Sequence, residues 1–142
     1  DETSKIRTFS NSMLISTDNA HGVHPNYPKK HESNHGPILN KGPAIKFNAN
    51  QRYATNSETA GYFKALCLDL KIECQEFVNR ADMACGSTIG PITASTVGIN
   101  TIDVGAPQLG MHSPRETTGW HDPAWLYLAL KAFFEAPTLP GQ

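Results

Sequence analysis

A chain of 142 residues, 39% hydrophobic and 18% charged, has the composition of one ordinary globular domain and can bury a real core. Its net charge of -1 excludes the basic excess of a nucleic-acid binder, and no apolar run is long enough to span a membrane. The opening Asp1-Glu2-Thr3-Ser4-Lys5 lacks the basic-then-apolar build of a secretory leader and an initiator methionine, which suggests a trimmed or excised piece. Cys67, Cys74 and Cys85 make no CxxC pair, so a reducing, cytoplasmic setting with buried thiols is expected.

After an irregular opening, Met13-Leu14-Ile15-Ser16-Thr17 is a short apolar run suited to a buried strand. Residues 18–43 are rich in His, Pro, Asn and Gly and predict a long loop, well beyond the usual limit of about 12–15 residues, so it is functional or part of an interface. Ala44-Ile45-Lys46-Phe47-Asn48 alternates as a half-buried strand does. Ser57 can cap a helix running to about Lys71, with Ala60, Phe63, Leu66, Cys67 and Leu70 on one face. A strand over 73–78 follows, then a loop entering a helix that Gly98 ends. Residues 99–104 predict a strand and 105–116 a second loop. Asp122-Pro123 supplies an N-cap acceptor and a first-turn proline for a final helix. Its Trp125, Leu126, Leu128, Leu130, Phe133 and Phe134 read as a core stripe. Strands alternating with helices predict a three-layer α/β/α fold with a mostly parallel sheet, and in such folds ligands sit beyond the carboxyl ends of strands.

Two potential ligands follow strand ends. Asp18 comes directly after the first strand, with His21 and His24 close behind, and His112 lies in the loop after Val104. Carboxylate oxygen and imidazole nitrogen are zinc donors; the alternative is that Asp18 caps a turn and the histidines bond within the loop. Ser113 invites a serine-hydrolase reading, but no G-x-S-x-G elbow surrounds it, and no HExxH helix occurs. Cys85-Gly86-Ser87-Thr88-Ile89-Gly90 could offer backbone N–H groups to an anion, or could merely connect strand to helix. Lys46 and Tyr53 are polar groups near a strand end.

Several strings together resemble the aspartyl aminopeptidases. They are Ser16-Thr17-Asp18-Asn19-Ala20-His21-Gly22-Val23-His24-Pro25-Asn26-Tyr27, Asn50-Gln51-Arg52-Tyr53-Ala54, Cys85-Gly86-Ser87-Thr88-Ile89-Gly90-Pro91, Asp103-Val104-Gly105-Ala106-Pro107-Gln108-Leu109 and Met111-His112-Ser113. The likeness implies a cytosolic, homo-oligomeric peptidase, a dodecamer in several relatives, that removes acidic N-terminal residues with two zinc ions. It makes Asp18 a ligand of one zinc and His112 of the other, and has Asp18, His21, Lys46 and Tyr53 contact substrate. His21 or Tyr53 would donate a hydrogen bond to the developing oxyanion, and Lys46 would pair with an acidic side chain. No catalytic base is identifiable in this sequence; the resemblance implies that it lies upstream. Residues 1–142 are accordingly expected to be the C-terminal portion of a single catalytic domain, without the inserted dimerisation domain and inactive alone. Gly36, where the family usually has arginine, and Pro114, where it usually has isoleucine, depart from the pattern near the presumed ligands. The competing reading is a non-catalytic assembly module whose histidine-rich loop serves subunit contacts.

Overall fold

The computed structural model describes residues 1–140. It opens with α1 (Glu2–Ser10), capped by Asp1, whose carboxylate accepts the Ser4 N–H at 2.7 Å. This helix buries no residue and therefore carries no apolar face from which to expect it. β1 (Met13–Thr17), β3 (Ala44–Phe47), β4 (Gln75–Val78) and β5 (Asn100–Gly105) form a sheet in the order β1-β5-β3-β4. The β1–β5 and β3–β4 ladders are parallel, while β3 runs antiparallel to β5. Parallel pairing thus predominates, with one reversal at the middle of the sheet.

Strand side chains alternate between faces. Met13, Ile45, Ile102 and Val104 point to one side and meet Ala60, Phe63 and Cys67 of α2 (Ser57–Asp69) and Ala129 of α4 (Asp122–Glu135). Phe63 has no exposed surface; truncating such a ring to alanine costs about 3–5 kcal/mol. On the other side, Asp103 lies against Gly90 of α3 (Ile89–Val97), where a Cβ would stand 2.4 Å from the carboxylate. Helices therefore cover both faces, and the expected three layers are present.

The helix boundaries carry their own chemistry. Asn56 caps α2 through a reciprocal capping box with Thr59, one residue earlier than the cap expected at Ser57. Gly98 ends α3 in the left-handed conformation, φ 71°. Asp122 is inside the first turn of α4, and its cap position is His121. The fully buried Asp122 carboxylate instead accepts three backbone N–H groups, from Asn40 (2.8 Å), Gly119 (3.1 Å) and Gly42 (3.3 Å), and so staples the loop before β3 to α4. Of the expected stripe on α4, Trp125, Leu126 and Phe133 pack on the core, whereas Phe134 is 83% exposed and Leu128 41%. A run of six large apolar residues is wider than the face that the sheet can cover.

The two loops expected from composition are partly ordered into a second sheet. β2 (Ala20–His21) pairs in parallel with β6 (Pro107–Leu109), and β6 pairs antiparallel with β7 (Thr117–Thr118). These segments are too short to show a period. Among the described residues, no helix is long and apolar enough to cross a membrane.

Because Asp122→Ala leaves three N–H groups without their acceptor, two of them in buried bonds, it should cost about 2–4 kcal/mol in urea unfolding with an unchanged slope. Phe134→Ala should stay within about 0.5 kcal/mol, and equal effects would contradict this division.

Candidate functional site

The two sheets meet where β1 and β5 end. Asp18 N–H continues the ladder to the Val104 carbonyl at 3.0 Å, and Ala20 N–H reaches the Ala106 carbonyl at 2.9 Å. The chain passes so close here that a Cβ on Gly105 would stand 1.8 Å from the Asp18 carbonyl oxygen; only glycine permits the crossing. Beneath it, the Asn19 amide donates to the buried Gln108 side chain. Asp18 is thus fixed in backbone while its carboxylate stays exposed.

Lys46 stands opposite, in the middle of β3, and is 2% exposed. Its Nζ lies 3.7 Å from Asp18 Oδ2 and 5.4 Å from the Tyr53 ring centroid. Burial pulls the ammonium below the ordinary lysine range, and the Asp18 carboxylate works against that pull. Tyr53, also buried, packs on Phe77, and Cys85 packs against the same small cluster. Burial, the foremost cause, pushes its phenol well above the ordinary range.

His21, at the end of β2, faces the space these groups enclose. Its imidazole is lowered first by loss of water and then by the neighbouring charges of His31, Lys46 and His112, with Asp18 opposing. His21 therefore feels Asp18 and His112 together. Loss of water also lowers His31, whose buried Nδ1 has no hydrogen-bond partner. A cleft of about 490 Å3 opens beside them, lined by His21, His24, Tyr27, His31, Phe77 and Met111 among others. His112 takes the left-handed conformation, φ 66°, uncommon for a residue with a side chain, and its N–H donates to Glu116 at 2.6 Å.

The structure also decides between readings that the sequence left open. Ser113 Oγ accepts the Arg115 N–H at 3.1 Å, and among the described residues no histidine bonds it. Near the start of α3 the buried Asp103 carboxylate accepts the Thr88 Oγ1 hydroxyl at 2.6 Å and the Ala54 N–H at 2.7 Å. Asp103 has no exposed surface and holds the chain on either side of the site: Ala54 follows Tyr53, and Thr88 stands just beyond Cys85. The clue to it is a single carboxylate inside the apolar run Ile102-Asp103-Val104. Gly36 sits where a Cβ would stand 2.5 Å from Val23, so the departure at this position shapes the loop behind His31. Pro114 is exposed in the turn after His112.

Among the described residues, no three His, Cys, Asp or Glu side chains are grouped to hold an ion. The donor chemistry nonetheless fits zinc. Asp18 presents a carboxylate oxygen and His112 an imidazole, both exposed, from backbone that is tied down by hydrogen bonds.

The profile of the aminopeptidase I zinc metalloprotease family (M18) matches residues 1–134. A protein of Pseudomonas savastanoi pv. phaseolicola named "Probable M18 family aminopeptidase 2" is 61% identical over 135 residues, which are 95% of this chain and 32% of the relative. A chain in the cryo-EM structure of the Ape4 and Nbr1 complex superposes with TM-score 0.91 at 41% identity, covering 95% of this chain and 26% of that one. The S. cerevisiae mApe1 dodecamer gives TM-score 0.81 at 31% identity over 92% of this chain and 28% of its own. The chain thus spans about a third of the length of the curated relatives it matches.

The neutral Tyr53 phenol stabilises the fold below about pH 10, the unfolded value, and that stability is lost as pH rises towards the raised folded value. Tyr53→Phe should therefore leave the tyrosinate absorbance change near pH 10 unaltered. Loss of one tyrosine's amplitude in that range would contradict the buried phenol.

Proposed function

The chain belongs to the aminopeptidase I zinc metalloprotease family (M18), and from that premise we infer that it forms one wall of a two-zinc aminopeptidase active site. The observation that carries this reading is that the ends of β1 and β5 and the β2–β6 pairing, His21 beside Gln108, bring the segment that starts at Asp18 next to the segment that leads to His112, 94 positions away in the chain (112 − 18 = 94). Asp18 would hold one zinc ion and His112 the other, with the remaining ligands and the catalytic base supplied by protein outside these residues. When bound, the ions would lower the pKa of an attacking water and stabilise the charge that develops on the scissile carbonyl oxygen.

The chain's own residues then have separate tasks. Asp18 also lies where a substrate amino terminus can meet a carboxylate, which favours cleavage at a chain end. His21 and Tyr53 keep their protons on neutral side chains, as a hydrogen-bond donor to a carbonyl oxygen must. Phe77 and Met111 narrow the cleft and exclude water. Lys46 carries positive charge at the floor of the site and would pair with an acidic side chain, giving a preference for N-terminal Asp or Glu.

A homo-oligomer is the proposed assembly, in keeping with the dodecameric yeast relative. Large exposed apolar groups, such as Trp120 (87% exposed), Phe134, Ile89 and Ile92, are suited to burial against the rest of a larger protein. Three free cysteines agree with a reducing cytoplasmic location. On this reading the 142 residues are the C-terminal portion of the catalytic domain and have no turnover alone, since a catalytic zinc takes three protein ligands.

In the complete enzyme, a zinc chelator should abolish release of N-terminal residues, and added zinc should restore it. Lys46→Met should lower kcat/KM on N-terminal aspartate about 10- to 100-fold while changing a neutral N-terminal residue about threefold or less, the scale of one charge-assisted hydrogen bond. Equal losses on both would remove the acidic preference from Lys46, and chelator-resistant turnover would remove the metal.

A further inference from the structure

The loop between β2 and β3 runs back along β4, the outer strand of the larger sheet, and side chains of β4 and of the turn after it hold it there. Its second half is tied by Gln75, whose side chain accepts the Ile38 N–H at 2.8 Å and donates to the Ile38 carbonyl at 2.9 Å. Its first half, residues 24–30, is held differently. Among the described residues, its hydrogen bonds run to near neighbours, such as Tyr27 N–H to the His24 carbonyl at 2.9 Å and Lys30 N–H to the Tyr27 carbonyl at 3.0 Å, with one exception. Arg80, two residues beyond the end of β4, donates through Nη1 to the Lys29 carbonyl.

One guanidinium divides its donors between two tasks. Nε and Nη2 bond the two oxygens of Asp82 at 2.8 and 2.5 Å, which leaves Nη1 aimed across at the loop. A planar fork is needed for that division, because an ammonium has the charge but cannot grip a carboxylate with two nitrogens while a third reaches a carbonyl. What hangs on the contact is the rim of the cleft of about 490 Å3, where Tyr27, Lys30 and His31 stand on the loop side and Phe77 and Arg80 on the strand side. His31 meets Phe77 edge-on, with ring centroids 6.1 Å apart, and Lys30 Nζ stands 5.7 Å from the centre of the Tyr27 ring.

We propose that Arg80 is a positioning residue: oriented by Asp82, it grips the Lys29 carbonyl and holds the rim from Tyr27 to His31 at the end of β4, which sets how tightly the cleft holds substrate. The proposal rests on the aminopeptidase reading of that cleft. Loss of the grip frees the rim and leaves the rest of the site in place. Asp18 is held at the end of β1, Lys46 belongs to β3, and Tyr53 precedes the Ala54 N–H that Asp103 accepts, so none of the three depends on Arg80. The expected signature is therefore weaker binding with unchanged turnover.

The test uses the complete enzyme and an N-terminal aspartyl substrate. Arg80→Ala and Arg80→Lys should each raise KM about tenfold and leave kcat within about twofold, the scale of one hydrogen bond to a charged group. Asp82→Asn, which keeps one acceptor oxygen, should raise KM by less. Digestion of the folded enzyme with trypsin should cut after Lys29 and Lys30 about tenfold faster in Arg80→Ala than in the wild type. A wild-type KM in Arg80→Ala would overturn the proposal, and so would a wild-type KM in Arg80→Lys, which would leave charge alone responsible. Should Arg80→Ala fail to fold, an unchanged KM in Asp82→Asn would overturn it in the same way. A wild-type enzyme that releases no N-terminal residue would overturn the aminopeptidase reading instead, and equal trypsin rates would then still refute the grip on the rim.

Discussion

The Asp103 carboxylate is wholly enclosed, and the shape of the site depends on what it grips. Two donors, the Ala54 N–H and the Thr88 hydroxyl, converge on it from segments that the Arg52 guanidinium also joins, donating to the Cys85 carbonyl at 3.2 and 3.3 Å. Thr55 adds a second tie, its hydroxyl accepting the Asp103 N–H at 2.9 Å. With both segments held, Cys85 packs against the cluster that contains Tyr53, whose ring stands beside Lys46. Gly90 is required for the same reason, since any side chain there would occupy the carboxylate's place. A buried acid left without donors is strongly unfavourable, so these contacts form together or not at all.

On that frame the charges of the site are arranged in opposition. An ammonium buried as deeply as that of Lys46 is unfavourable by itself, and the Asp18 carboxylate offsets part of the cost from its exposed position at the end of β1. The crossing at Gly105 fixes the Asp18 backbone, and the exposed carboxylate stands 3.7 Å from Lys46 Nζ. His112 is exposed on a turn whose backbone is left-handed at its own position.

Much of this was legible in the residues, and the exceptions have physical causes. Long elements with apolar faces, such as α2 and β5, declare themselves by period, and Gly98 marks the end of α3 by its conformation. β2, β6 and β7 hold two or three residues each, too few to carry a period, and their order comes from pairing across 86 positions between Ala20 and Ala106 (106 − 20 = 86). Asp18, His21, Lys46 and Tyr53 were identifiable as a set through resemblance, but their mutual geometry was not. That Lys46 contacts Asp18 requires β3 to run against β5, a reversal that no local pattern announces. Asp103 and Asp122 illustrate the converse: each is a lone acid in a sequence that looks structural, and only tertiary partners reveal that one shapes the site and the other anchors α4.

The apolar stripe of α4 teaches the same lesson about coverage. Trp125 and Phe133 meet the sheet, while Phe134 and Leu128 are left in water because this chain has no further layer to place over them.

Diffraction from crystals of the complete enzyme, recorded at the zinc absorption edge, tests the central claim most directly. Two anomalous peaks are predicted, one at about 2.0–2.2 Å from an Asp18 carboxylate oxygen and the other at about 2.0–2.1 Å from a His112 ring nitrogen. Zinc peaks bonded to neither residue, in an enzyme that retains activity, would contradict the account.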